Sequence, residues 1–149
     1  MNSGTDQKPI EPQFTLDVQR KKNYLHIIVK GKNSPETVAA FLESILEECT
    51  QRQCQNILVE ERLEGPRLNF SQIVQIASEA SERAVGKIRS FAYVDVNAED
   101  DSMRFAELVA RNRAMPIRVF SSVSEAEAWI ETESENAAEE NGSGGLVNN

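Results

Sequence analysis

The chain has 149 residues, with 16 basic and 24 acidic side chains and a formal net charge of −8, a length that suits one domain. The negative balance argues against the basic face that non-specific nucleic-acid binding needs, and no apolar run reaches the roughly 18 residues of a membrane-spanning helix. Two cysteines and one histidine build neither a familiar zinc site nor a disulfide framework, so no metal is expected.

Residues 1–12 hold two prolines and almost no large apolar side chain, and residues 131–149 hold five acids and no base. Such stretches bury too little apolar surface to offset an ordering cost of about 1–2 kcal/mol per residue. Both are expected to be disordered tails, the second of them acidic, around a single α/β domain at 13–130. The start of the chain lacks the apolar core of a signal peptide, which implies a cytoplasmic protein.

Within 13–130, Phe14, Leu16 and Val18 alternate with Thr15 and Asp17, the period-2 pattern of a half-buried strand. After a polar turn at 20–23, residues 24–29 are apolar at nearly every position, as in a strand covered on both faces. The two form a β-hairpin ended by Gly31. Ser34, Pro35 and Glu36 then open a helix as cap, first-turn proline and dipole-facing acid. Val38, Phe41, Leu42, Ile45, Leu46 and Cys49 give that helix one apolar stripe.

Ile57, Leu58 and Val59 read as a short buried strand, broken by Gly65 and Pro66. Asn69 with Gln72 makes a capping box for a second helix, whose narrow apolar face is Ile73, Val74, Ala77, Ala80 and Ala84 and whose stop is Gly86. A fourth strand spans 90–96. A third helix starts over 97–102, with Phe105, Leu108 and Val109 as its face and Pro116 beyond its end. A fifth strand spans 117–120. Ser124 and Glu127 then cap a short last helix, pinned to the sheet by Trp129 and Ile130. The order β-β-α-β-α-β-α-β-α predicts an α/β fold: a mixed five-strand sheet, mostly parallel, with an N-terminal hairpin, four helices and right-handed crossovers.

Two segments carry a resemblance. One runs from Ile57-Leu58-Val59 to Glu64-Gly65-Pro66-Arg67-Leu68. The other joins Glu107-Leu108-Val109-Ala110-Arg111-Asn112-Arg113 to Ile117-Arg118-Val119-Phe120 and Glu125-Ala126-Glu127-Ala128-Trp129-Ile130. Together they resemble the STAS-like group of small bacterial proteins, related in fold to anti-sigma-factor antagonists, over about residues 14–130. The resemblance implies a small α/β domain, and in the antagonist branch a phosphorylatable serine where the second helix begins. Ser71, in Asn69-Phe70-Ser71-Gln72, stands nearest that place as a phosphoacceptor candidate, although the neighbouring acid, second serine and glycine of the family motif are absent.

These features imply a non-enzymatic, STAS-like regulatory module that binds a protein partner through the 62–71 loop and the start of the second helix, with Arg67 and Phe70 as contacts. An alternative is a carrier of a small molecule or lipid, with an apolar pocket beneath the second and third helices and Arg111 or Arg113 receiving the ligand's anionic end. A third option is an enzyme with an unfamiliar site near Asp95, where Glu99, Asp100 and Asp101 cluster beyond a strand end; those acids equally suit a helix start. No nucleophile–base pair, GxGxxG or P-loop motif occurs, so neither catalytic residues nor cofactors are expected. His26 reads as a strand residue with a partly exposed ring, and Cys49 as a small buried hydrophobe.

Overall fold

The structure, a computed structural model, describes residues 13–96, 98 and 100–147; the expected tail at 1–12 and the end of the expected tail at 148–149 lie outside them. Its elements are β1 (Phe14–Arg20), β2 (Leu25–Lys32), α1 (Pro35–Gln51), β3 (Asn56–Glu64), α2 (Phe70–Ala84), β4 (Ser90–Val94), α3 (Asp101–Asn112), β5 (Ile117–Phe120) and α4 (Val123–Val147). The expected α/β order stands. The five strands lie side by side in sequence order, β1 antiparallel to β2 and every later pair parallel.

Local chemistry explains the element ends. Ser34 accepts from the Thr37 amide at 3.0 Å ahead of Pro35. At α2 the capping box is complete: Asn69 accepts from the Gln72 amide at 2.8 Å, and the Gln72 side chain accepts from the Asn69 amide at 3.0 Å. Gly86 takes φ 79° just past α2, a conformation that ends helices and favours glycine. Gly31 is needed for space as well as φ, because a Cβ there would stand 2.1 Å from the Gln13 carbonyl oxygen.

Consecutive parallel crossovers in one direction put α1, α2 and α3 on one face of the sheet. Leu25, Ile27, Val29, Ile57, Val59, Phe91 and Tyr93 point to that face and pack with Phe41, Ile45 and Cys49 of α1. The opposite face carries Leu58, Ala92 and Val94, covered by Ala126 and Ile130 of α4.

Four expectations need correction. The strand read as Ile57-Leu58-Val59 runs on to Glu64, because the parallel ladder with β2 continues to Lys32↔Glu64. α4 starts earlier, at Val123, where Ser122 rather than Ser124 accepts from an amide, that of Glu125, at 3.3 Å. It also continues to Val147, so residues 131–147, expected to be disordered, have a helical backbone. Ala126, Ile130 and Ser134 are spaced by one turn each, and all three are buried; that stripe carries the helix past residue 130. Finally, α3 buries Ala106 and Ala110 and leaves Phe105 and Leu108 outside. Its small residues let the helix approach the sheet, and Phe105 stacks on Phe70 of α2 instead, ring centroids 5.2 Å apart.

Candidate functional site

The layer formed by α2 and α3 is underfilled. α2 buries only Ser81 and Ala84 fully, while its larger side chains Ile73, Val74 and Ile76 are half-buried. Beneath these helices lies a cavity of about 170 Å³. Its walls are mostly apolar: Leu42 from α1, Ile73, Ile76 and Ala77 from α2, Met103 and Ala106 from α3, and Phe91 and Val119 from the sheet. The exposed lining residues Gly65, Arg67 and Val96 lie past the C-terminal ends of β3 and β4, so the cavity meets solvent there. Parallel sheets commonly offer ligands that edge.

The polar groups of the cavity gather at the same end. Glu61 on β3 shares the inward face with Val59, and Asp95 follows Tyr93 on the inward face of β4. The register Glu60↔Val94 brings Glu61 and Asp95 to neighbouring positions, and the Asp95 amide prolongs the ladder by donating to the Phe120 carbonyl at 3.0 Å. The Tyr93 hydroxyl donates to Glu61 Oε2. Burial, then the Asp95 charge, push the Glu61 carboxyl up to about 7, against the lowering effect of Tyr93 and Arg67. Burial and the Glu61 charge hold the Tyr93 phenol well above its ordinary range. Perturbed groups in a cleft mark candidate functional positions.

Arg67 and Asp100 form an ion pair that ties the β3–α2 loop to the start of α3. Glu107, also in the wall, accepts from the Val119 amide at 2.6 Å and lies 3.8 Å from Arg104. Asp95 thus joins a site, whereas Asp100 serves the ion pair and Asp101 the first turn of α3; Glu99 lies outside the described residues.

The other expected residues fall elsewhere. Phe70 is 51 % exposed, and Ser71 beside it is exposed in the first turn of α2. Arg111 and Arg113 are exposed at the end of α3, with Arg113 3.6 Å from Glu82. Neither lines the cavity, so an anionic ligand end held there by these arginines does not fit. Arg118 points away from the cavity face, exposed.

His26 is buried rather than partly exposed. On the α4 face of the sheet its Nε2 lies 3.1 Å from Glu60 Oε1, and Arg62 pairs with the other Glu60 oxygen. The partner comes from the next parallel strand, 34 residues away. Cys49 and Cys54 are both buried free thiols, and burial, then Cys54, push the Cys49 thiol up to about 12, the signature of an inert cysteine. Among the described residues no group of three or more His, Cys, Asp or Glu could hold a metal ion, and no helix is long and apolar enough to cross a membrane.

Glu61 and Tyr93 are the site residues that sequence reasoning missed. Ending the third strand at Val59 hid the first, although Ile57, Val59, Glu61 and Leu63 keep the period of two that marks one face. Tyr93 lies inside the strand expected over 90–96, where nothing local sets it apart.

No model of a known protein family matches the chain, and no curated protein does. Its backbone is similar to the NMR structure of the protein TM1081, with a TM-score of 0.44 and 14 % identity, over 88 % of this chain and 98 % of that one.

Proposed function

We propose that this domain binds a small, largely apolar molecule in the cavity beneath α2 and α3. The observation that carries the reading is an apolar space of about 170 Å³ with polar groups at one end only, the arrangement by which small-molecule sites combine affinity with orientation. An apolar cavity of roughly 150 Å³ accommodates benzene, so the occupant has the bulk of one aromatic ring or a chain of about six carbons. Left empty, such a space costs at most on the order of 4 kcal/mol, at about 24 cal/mol per Å³, and a ligand recovers part of that.

Native mass spectrometry of gently purified protein tests the proposal. The expected result is a non-covalent mass excess that disappears on denaturation and is absent from Ala77→Leu, a substitution in the cavity wall. A bare chain in both proteins counts against a retained ligand.

A second reading, the STAS-like protein-binding module acting through residues 62–71, draws on a different observation. Phe70 and Phe105 form an exposed stacked pair, with Leu108 52 % exposed one turn along α3. Exposed aromatic clusters mark interaction surfaces. If Phe70→Ala and Arg67→Ala leave every captured protein unchanged, this reading fails.

A further inference from the structure

The two edges of the sheet differ. β5 is four residues long. The Phe91 and Asp95 amides donate to the Pro116 and Phe120 carbonyls, so the even-numbered residues of β5 bond β4 and the odd-numbered ones face outward. Both outward amides are occupied: Ile117 donates to the Met115 carbonyl at 2.9 Å and Val119 to Glu107 at 2.6 Å. At the other edge β1 is seven residues long and pairs with β2 without a bulge. The Lys32 amide donates to the Gln13 carbonyl at 3.0 Å and the Lys21 amide to the Tyr24 carbonyl at 2.9 Å. These bonds make the odd-numbered residues of β1 the ones joined to β2. Phe14, Leu16 and Val18 therefore direct their backbone groups away from the sheet, where no strand lies beyond them among the described residues. Their side chains are half-buried on the α1 side, and Thr15 and Asp17 are exposed on the other face.

We propose that β1 is the docking edge for a second copy of this chain, the two β1 strands pairing antiparallel about a two-fold axis at Leu16. Hydrogen-bonded pairs then form between outward residues, Leu16 with the partner's Leu16 and Phe14 with the partner's Val18, and each pair exchanges two backbone bonds. The same alignment gathers the half-buried Phe14, Leu16 and Val18 of both copies on one face. On the other face Thr15 stands opposite the partner's Asp17, a hydroxyl donor against a carboxylate. Asp17 Oδ2 accepts from Gln19 Nε2 at 3.2 Å within its own chain, so the hydroxyl meets Oδ1. Moving the axis to Asp17 would set the two carboxylates directly opposite, which destabilises a pair of strands. Moving it to Val18 would set Leu16 against the partner's Arg20. The axis at Leu16 is the alignment in which the apolar and the polar faces of β1 both match themselves. Because the outward amides of β5 are occupied, growth of the sheet stops at two copies.

Sedimentation equilibrium of the full chain tests the proposal, at concentrations up to about 0.5 mM because a pair of strand edges is a small interface. The expected result is a monomer–dimer equilibrium with no larger species. Thr15→Lys sets an ammonium group against the partner's Asp17, and Thr15→Asp sets a like charge there. The contact occurs twice across the axis, so the first tightens the dimer and the second weakens it, each by about tenfold. Thr15 is exposed, and circular dichroism of the dilute variants checks that each still folds. In a sample mixing two isotope labels, an intermolecular contact between the Thr15 and Asp17 Hα atoms is expected, since residues opposite in a pair without backbone bonds approach most closely. A monomer at every concentration overturns the proposal. If the Leu16 amide of that monomer resists hydrogen exchange, the edge belongs to residues 1–12 of the same chain instead. A dimer that lacks the Hα contact and has one affinity in all three proteins forms elsewhere and also overturns it, as does a foreign protein held on β1 in place of the second copy.

Discussion

Tyr93 and Glu61, 32 residues apart in the chain, meet across the β3–β4 pair, the phenol donating to the carboxylate on the wall of a mostly apolar cavity. The parallel register aligns Val59 with Tyr93 and carries Glu61 one inward position further, beside Asp95. An acidic end in an apolar space follows from that register.

Stability depends on pH through Glu61. Its carboxyl stands at about 7 in the fold against an ordinary value of 4.5, so between those values the folded state holds more protons than the unfolded one. Stability then falls as pH rises from about 4.5 to about 7, by a contribution on the order of 3 kcal/mol. Glu61→Gln flattens this slope and gives a higher melting temperature near pH 8. Denaturation curves at several pH values check it, and an unchanged slope in Glu61→Gln counts against this assignment.

Tyr93→Phe removes the hydrogen bond that favours the charged form of Glu61. The Glu61 midpoint therefore rises above about 7, and stability near pH 8 falls by about 1–3 kcal/mol because a buried oxygen loses its donor. A carboxyl-carbon NMR titration reads the midpoint. If the midpoint does not move, the contact is absent in solution.

Ala77→Leu puts three more carbons into the cavity. At about 0.8 kcal/mol per buried methylene, with some loss to imperfect fit, the protein gains roughly 1–2 kcal/mol. Urea denaturation measures it. A loss of similar size would show that α2 already sits tight on the sheet.

α4 is held by Ile130, which is fully buried, more than by Trp129, which is half-buried with its ring 5.8 Å from Phe120. Ile130→Ala is expected to cost about 2–5 kcal/mol. Because Ser134 is also buried, at 1 % exposure, a chain ending at 130 is expected to be less stable than one ending at 136. Equal stability of the two chains would place the packed end of the helix at Ile130.

Much of the fold was legible because its signals are local. The stripe from Val38 to Cys49, the proline and serine before it, and the Asn69–Gln72 box each specify an element within a few residues. What escaped depends on pairing between distant segments. Glu60 reaches His26, and Glu61 reaches Tyr93 and Asp95, only after parallel strands align. Phe105 and Leu108 suggested the buried side of α3, but helix rotation is set by the neighbour it meets, and Phe70 supplies an outside partner. Acid-rich composition suggested disorder past residue 130, while the spacing of Ala126, Ile130 and Ser134 continued the buried stripe. The apolar pocket beneath the second and third helices was foreshadowed by alanines at 77, 80 and 84; the sign of its polar end was not, since Glu61 and Asp95 meet only in the folded sheet.

The most direct measurement of the ligand-site reading is a methyl NMR titration with benzene, a probe without a head group, in the unsubstituted protein and in Ala77→Leu. The expected result is saturable shifts centred on Ile73, Ile76, Met103 and Met115 in the first, and their loss in the second. No saturable shift in the unsubstituted protein, or equal shifts in both, would contradict binding in the cavity beneath α2 and α3.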